Sequence, residues 1–73
     1  MSEPDRVDHP RHYTGPVPGI ECVEVAGHFN FCRGSAIKYI WRAGSKNPAR
    51  EIEDLRKAIK FLELEIERLQ EAQ

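Results

Sequence analysis

The C-terminal third of the chain carries an apolar repeat with the spacing of a coiled coil. Its apolar positions follow one another in alternating steps of three and four residues, and they are Ile52, Leu55, Ile59, Leu62, Ile66 and Leu69. Helices with this a/d spacing pack against one another along a common seam. Just before the repeat, Asn47 and Pro48 combine an N-cap residue with proline at the first helical position. The sequence therefore predicts a helix over residues 48–72, roughly 37 Å long.

This seam of six apolar residues needs a partner that the rest of the chain is too short to provide. The chain has 73 residues, enough for one domain, and a domain of this size buries only about 60% of its unfolded surface when it folds alone. Two short helices would cover the first half of the seam, and the remainder is expected to meet the same helix of another subunit. Phe61 and Leu64 add a second apolar strip, which favours more than two helices around the seam. We therefore expect a helical homo-oligomer assembled through residues 52–69.

The remainder of the chain divides into an arm and a pair of short helices. Residues 1–18 contain four of the five prolines and no helical apolar pattern, which predicts an extended arm. Residues 19–44 form an apolar middle section that is expected to fold into two short helices. With the long helix over 48–72, the chain is predicted to be a single all-α domain, residues 1–73.

The boundaries of the two short helices follow from their flanking residues. The first is predicted over residues 19–26 and the second over residues 31–43. Asn30 is a suitable N-cap for the second helix, and Gly44 a suitable residue just past its end. For the first segment a strand remains an alternative, because of the alternation through Glu21, Val23 and Val25.

Charge and cysteine content narrow the possible functions. The net charge is −1, so the chain as a whole is not a generic polyanion binder, and attraction for phosphate must come from a local patch. Cys22 and Cys32 do not form a CxxC pair, and their apolar neighbours favour buried thiols over a disulfide. Neither a signal peptide nor an apolar membrane span is present in the sequence, so we expect a cytoplasmic protein that does not bind membranes.

Residues 25–50 contain no Asp or Glu but five basic residues. These are Arg33, Lys38, Arg42, Lys46 and Arg50. Lys38 and Arg42 are four residues apart and share one face of the second helix. Gly34, one turn earlier, lets a ligand or a second backbone come close, and Lys46 precedes the N-terminus of the long helix, where phosphate binds readily. This pattern predicts a phosphate site; the alternative is that Lys38 and Arg42 are surface charges or pair with acids of the long helix.

The arm adds groups that suit a nucleobase or a phosphate. His9, His12 and Tyr13 offer stacking surfaces and hydrogen-bond donors within five residues. Three alternatives remain: the arm is disordered, Tyr13 packs against a neighbouring subunit, or the H-x-x-H pair binds a metal. A metal needs two further ligands, and no other His or Cys has fitting spacing, so no metal site is predicted.

Several functional motifs are absent from the sequence. It contains no P-loop, no G-x-S-x-G and no H-E-x-x-H. Neither a helix-turn-helix nor a zinc-finger pattern is present, and a short basic segment in an acidic chain fits a small anion better than duplex nucleic acid. No catalytic residue is therefore predicted.

Several short motifs occur in an order that resembles one known family. They are His9-Pro10-x-His12-Tyr13, Gly19-Ile20-Glu21-Cys22, Phe31-x-x-Gly34-x-Ala36-x-Lys38-Tyr39-x-x-Arg42-Ala43-Gly44, Lys46, and Asp54-Leu55-x-Lys57-Ala58-x-x-Phe61-Leu62. In this the chain resembles the SaV-like family of small bacteriophage proteins, often described as nucleotide kinases, over about residues 8–66. Ser35 stands where that family often has Asn, and Phe61 where it often has Tyr or Trp; the first departure puts one polar ligand contact in doubt.

The resemblance implies a nucleotide ligand, either bound or phosphorylated. A kinase must hold a donor, an acceptor and usually magnesium, and the family members described as kinases are generally longer than this chain. The acids nearest the basic segment, Glu51, Glu53 and Asp54, are either metal ligands or first-turn acids that the helix dipole favours. A binding protein needs only a preformed pocket between subunits, which matches these residues better.

The predicted function is therefore sequestration of a small phosphate-containing ligand, such as a host immune signalling nucleotide, in an infected bacterial cell. Lys38 and Arg42 would hold phosphate, with Lys46 as a further contact, and Glu21 would accept from a ribose or base. The arm residues would close over the base or ribose, and they are His9, His12 and Tyr13. Trp41 is either a stacking platform or, as we expect, a core residue. The alternatives are a deoxynucleoside monophosphate kinase, which would need magnesium and ATP, and a structural helical oligomer or adaptor.

Overall fold

The computed structural model describes residues 15–73, and residues 1–14 lie outside the described part. The helices are α1 over Cys22–Ala26, α2 over Phe31–Arg42 and α3 over Glu51–Ala72. A 3-10 turn over Pro48–Arg50 leads directly into α3. No strand occurs between residues 15 and 73, so the all-α prediction is confirmed there and the strand alternative for the first segment is wrong. Most of the arm predicted over residues 1–18 lies outside the described residues.

A glycine turn delays the start of α1 to Cys22, three residues after the predicted start. Gly19 has a φ of +80°, a left-handed conformation that a helix cannot include. The N–H of Ile20 donates to the carbonyl of Val17 at 3.2 Å and closes a turn. Glu21 then has extended backbone and occupies the N-cap position.

Both predicted caps of α2 are confirmed. The Asn30 side chain accepts a hydrogen bond from the N–H of Arg33 at 2.9 Å, the usual contact of an N-cap residue. At the other end, Gly44 has a φ of +74° and turns the chain away. The Ser45 backbone and hydroxyl both donate to the carbonyl of Arg42, at 2.8 and 2.9 Å. The helix therefore ends at Arg42, one residue before the predicted end.

The long C-terminal helix forms as predicted, with its first turn in 3-10 geometry. Asn47 accepts a hydrogen bond from the N–H of Ala49 at 3.1 Å, and Pro48 follows it as the first helical residue. The acids of the first turn of α3, including Glu51 and Asp54, lie where the helix dipole favours negative charge. No helix within residues 15–73 combines the length and apolar character needed to cross a membrane.

Alanines and aromatic rings form the contact between α2 and α3. Ala36 of α2 is 1% exposed and Ala58 of α3 is 3% exposed. Phe61 of α3 lies edge-to-face with Phe31 and stacks on Tyr39, with ring centroids 5.8 Å apart in both pairs. No large side chain in the described part of the chain is completely buried. The single-chain core is therefore thin, as expected for so small a domain.

The face of α3 that α2 covers is not the seam. The residues of the covered face are Asp54, Ala58, Phe61 and Glu65, of which Phe61 is partly exposed and the others buried. Ile52, at the start of the seam, remains 66% exposed, and Ile59, at its middle, 54%. The prediction that two short helices cover the first half of the seam is therefore wrong. Phe61 does not extend the seam either, because its ring packs against the rings of Phe31 and Tyr39.

Gly34 allows α1 and α2 to approach closely. A Cβ atom at this position would lie 2.9 Å from the carbonyl oxygen of Ala26, the last residue of α1. Of the two expectations for Gly34, the close approach of a second backbone is therefore confirmed. The contact fixes α1 beside the N-terminal half of α2.

Candidate ligand-binding site

An open cavity of about 610 Å³ lies beside α1 and α2. Small-molecule sites commonly have volumes of roughly 300–1,000 Å³. Three of the residues predicted to bind a ligand line this cavity, and they are Glu21, Lys38 and Arg42. Lys46 is exposed in the loop after α2 and is not among the lining residues. The other predicted ligand residues lie outside the described part of the chain, and they are His9, His12 and Tyr13.

One face of α2 forms much of the cavity wall. Its lining residues recur at helical spacing on both sides of Lys38, and they are Phe31, Gly34, Ser35, Trp41, Arg42 and then Ser45 just past the helix end. Residues three and four apart lie on one helix face. The two serines and Asn30 add polar groups that sequence reasoning did not assign to ligand binding. The same spacing counted from Lys38 would have found the serines.

Lys38 is exposed and supplies positive charge to the cavity. Within residues 15–73 it forms no ion pair. Burial raises the pKa of the Cys22 thiol, and the charge of Lys38 offsets part of that rise. Cys22 also lines the cavity, so the positive potential of Lys38 extends to its α1 wall. Both Cys22 and Cys32 are free and partly buried, as predicted.

Arg42 is positioned by contacts to α3 and to its own helix. Its Nε lies 3.7 Å from Oδ1 of Asp54, whose side chain is 9% exposed. Its guanidinium carbon lies 4.9 Å from the centroid of the Tyr39 ring, a favourable cation–π distance. The expected alternative, pairing with an acid of the long helix, therefore holds for Arg42 and not for Lys38. The pair is long for a hydrogen bond, which leaves guanidinium N–H groups for an anion in the cavity.

Trp41 combines the two roles considered for it. It is half-buried and also lines the cavity. Gly15 lies directly against the indole, since a Cβ atom there would clash with Nε1 of Trp41. Gly15 also has a φ of +78°, so a side chain at this position would be strained as well as crowded. The indole therefore forms part of the cavity surface and packs against the backbone at Gly15.

A second polar cluster, which sequence reasoning missed, joins the start of α2 to α3. Glu65 is 4% exposed, and its carboxylate accepts hydrogen bonds from three side chains. Arg68 donates through Nε and an Nη atom at 3.0 and 2.9 Å, while Asn30 and Arg33 each donate at 2.9 Å. The hydrogen bonds from Arg68 and then Asn30 are the main causes that lower the pKa of Glu65 to about 2. Arg33, a member of the basic segment, therefore has a structural role here.

Two of the three acids at the start of α3 are engaged by basic side chains, and Glu51 forms no ion pair within residues 15–73. Glu53 lies 2.8 Å from Arg50 and 3.5 Å from Lys57, and Asp54 pairs with Arg42. Among residues 15–73, no three His, Cys, Asp or Glu side chains are grouped closely enough to hold a metal ion. The described residues thus form an open cavity with a cationic edge and an aromatic wall, which can bind an anion with an attached ring.

Comparison with known proteins identifies a family. The profile of the DUF3310 family, described as proteins of unknown function, matches residues 7–63. No curated protein and no solved structure matches the chain. The matched segment begins before α1 and ends inside α3, so it includes all of the described cavity. Because this match covers well over half of the sequence, the chain belongs to the DUF3310 family.

Proposed function

We propose that this protein binds a small phosphate-containing ligand of the nucleotide class in the cavity beside α1 and α2, and that it sequesters the ligand without changing it. The observation that carries the proposal is the position of Lys38 and Arg42, one helical turn apart on the cavity edge. Two cations at this spacing suit a phosphate group, because ammonium and guanidinium groups both form charge-assisted hydrogen bonds with phosphate oxygens.

The aromatic wall supports a ligand that carries a ring as well as a phosphate. Trp41, Phe29 and Phe31 line the same cavity as the two cations, and Phe31 is 77% exposed. Aromatic side chains stack on nucleobases of any sequence. Ser35 and Ser45 supply hydroxyl groups of the kind that orient a base or ribose. A nucleotide matches this combination better than inorganic phosphate does.

Sequestration is favoured over phosphoryl transfer by the state of the nearby acids. A kinase reaction needs carboxylates available for magnesium, whereas Glu53 and Asp54 are paired with basic side chains and only Glu51 of the three acids forms no ion pair within residues 15–73. Binding alone needs no further group. In keeping with the resemblance to small bacteriophage proteins, we propose that the ligand is a signalling nucleotide of the host immune system.

The proposal includes self-association and the N-terminal arm. The exposed seam of α3 would join copies of the chain into a homo-oligomer. His9, His12 and Tyr13 would close over the base or ribose, from the same or a neighbouring copy. Glu21 would contact the ligand from the α1 wall, and Lys46 would be an additional phosphate contact.

Calorimetric titration with a nucleotide panel tests this function. The panel contains deoxynucleoside monophosphates, cyclic dinucleotides and cyclic ADP-ribose isomers, and each mixture is then separated by chromatography. Tight binding of a signalling nucleotide that is recovered unchanged supports sequestration. Conversion of a deoxynucleoside monophosphate to its diphosphate, when ATP and magnesium are added, would instead establish the kinase.

Lys38→Ala tests the proposed cavity, and Lys60→Ala is its matched control. Both lysines are exposed on helices and form no ion pair within residues 15–73, but only Lys38 lines the cavity. We expect Lys38→Ala to weaken binding about tenfold or more, the usual loss for one charge-assisted contact, while Lys60→Ala binds as the unchanged chain does. Equal affinities of the two variants would refute the site.

A further inference from the structure

The seam is exposed along its whole length, and its two residue types differ in exposure. The isoleucines occupy the first, or a, position of each heptad and are the more exposed: 66% at Ile52, 54% at Ile59 and 53% at Ile66. The leucines occupy the fourth, or d, position of each heptad and are less exposed: 40% at Leu55, 43% at Leu62 and 38% at Leu69. The α2 helix therefore lies nearer the leucine side and covers neither row. Six large aliphatic side chains in a row along one helix are unusual on a monomeric surface.

We infer that this face binds the same face of a second copy, as a parallel two-stranded coiled coil. Among parallel coiled coils, isoleucine at the a positions with leucine at the d positions favours two strands, and this seam has that combination at all six positions. This inference specifies the oligomeric part of the proposed function and does not depend on the ligand cavity.

The charged residues beside the seam agree with the parallel arrangement. Glu51 occupies a g position and Arg56 the e position of the next heptad. In a parallel pair, these two positions of opposite chains face each other. Both side chains are exposed, and neither forms an ion pair within residues 15–73. A parallel dimer therefore brings Glu51 of each copy to Arg56 of the other, twice.

The packing of α2 explains why two strands suffice. A wider apolar face would favour more than two helices, and Phe61 would have widened it. Phe61 instead contacts Phe31 and Tyr39 within the chain. Ala58 and Glu65, at g positions, are buried beside α2, so one flank of the seam is already occupied. Leu64, the other residue of the second strip, is 37% exposed but occupies an f position away from the seam, so the remaining apolar face has the width of a two-stranded interface.

Parallel pairing also places both ligand cavities toward one end of the assembly. Arg42 pairs with Asp54, in the first turn of α3, so the cationic edge of the cavity lies near the N-terminal end of the coiled coil. Two parallel copies would bring both cationic edges to that same end, whereas antiparallel copies would separate them.

Sedimentation equilibrium of the full chain measures the association. We expect twice the chain mass of 8.4 kDa. Ile59→Glu should raise the dissociation constant about a hundredfold or more, because each copy loses a buried isoleucine and the two new carboxylates face each other. Lys60→Glu, which places the same residue one position off the seam, should leave the dimer intact. Circular dichroism of Ile59→Glu checks that it still folds, as expected for a residue away from α2.

Disulfide trapping measures whether the two helices run parallel, and it does not depend on the Ile59→Glu variant. In a chain with Cys22→Ser and Cys32→Ser, Leu69→Cys alone should form a covalent dimer under mild oxidation, since parallel strands bring position 69 of both copies together. A monomer, an assembly larger than two, or cross-linking only when Leu69→Cys is mixed with Ile52→Cys would overturn the inference. Nucleotide titration of Ile59→Glu separates the two proposals, because nucleotide binding by a monomer would support the ligand cavity independently of the coiled coil.

Discussion

Asn30 and Glu65 are joined by a hydrogen bond from the Asn30 side-chain nitrogen to the carboxylate, at 2.9 Å. The side-chain oxygen of the same asparagine accepts from the N–H of Arg33 and caps α2. One residue therefore begins one helix and connects it to another, 35 residues away in sequence. The start of α2 and the middle of α3 are coupled through this amide.

Substitutions at Asn30 should separate its two roles. Asn30→Ala loses the cap and the bond to Glu65, so it should lower the free energy of unfolding by about 1 kcal/mol from the cap alone, with a further loss from Glu65. Asn30→Ser keeps a capping oxygen but cannot donate an amide hydrogen to Glu65, and should be intermediate. Urea unfolding of the three proteins measures this. Identical stability of Asn30→Ser and the unchanged chain would mean that the Glu65 bond contributes nothing.

Stability should fall in acid because of Glu65. Its pKa is lowered from an ordinary 4.5 to about 2, first by the hydrogen bonds from Arg68. Because the folded-state pKa lies below that of the unfolded chain, the charged carboxylate stabilises the fold fully above pH 4.5. The contribution is then lost as the pH falls from 4.5 toward 2.

The Glu65→Gln variant should lose this acid-dependent component of stability. Urea unfolding between pH 2 and pH 6 should give a flatter profile for Glu65→Gln than for the unchanged chain. Glu67→Gln, at an exposed position two residues later, should keep the original slope. Equal slopes for the two variants would contradict the role assigned to Glu65.

Gly34→Ala should destabilise the protein although alanine is the better helix former. Alanine gains up to about 1 kcal/mol in helix propensity, but its Cβ would lie 2.9 Å from the Ala26 carbonyl oxygen. The backbone must separate to relieve this contact, so we expect a net loss of about 1 kcal/mol or more. Ser35→Ala, the next position of α2, adds no atom and is the control for thermal unfolding. A more stable Gly34→Ala protein would show that α1 and α2 can move apart freely.

Arg42→Ala should destabilise the protein more than Lys38→Ala. It leaves the Asp54 carboxylate, with a side chain only 9% exposed, without its basic partner, and an unpaired buried acceptor costs about 1–2 kcal/mol. Combining Arg42→Ala with Asp54→Asn should recover part of the loss in urea unfolding. Additive effects of the two substitutions would show that the pair is not coupled.

Trp41 should report ligand binding directly. It is the chain's one tryptophan, it lines the cavity, and Gly15 lies against its indole nitrogen. A nucleotide that stacks in the cavity should change the intensity of tryptophan emission with the same midpoint that calorimetry gives. A panel ligand that binds by calorimetry without changing the emission would place its site elsewhere.

The helices and their ends were predictable because the signals for them are local. Asn30 and Asn47 each bond to a backbone N–H two or three residues away, and Gly44 turns the chain just after α2. Such contacts depend on nearby sequence alone. Lys38 and Arg42 were likewise found from spacing on one helix. The serines of the cavity wall lie at the same helical spacing from Lys38, but their hydroxyls alone do not mark them as ligand-binding groups.

The sequence by itself determined that this chain forms helices, that the last one is long, and which of its faces is apolar. Only the tertiary structure decided which face α2 covers. Periodicity identifies an apolar stripe but does not name its neighbour, and α2 packs instead where Ala58 is small and where Asp54 and Glu65 meet arginines of α2. Close approach at small side chains, together with pairing of the two carboxylates, positions α2 on this face. The apolar seam of α3 therefore remains at the surface.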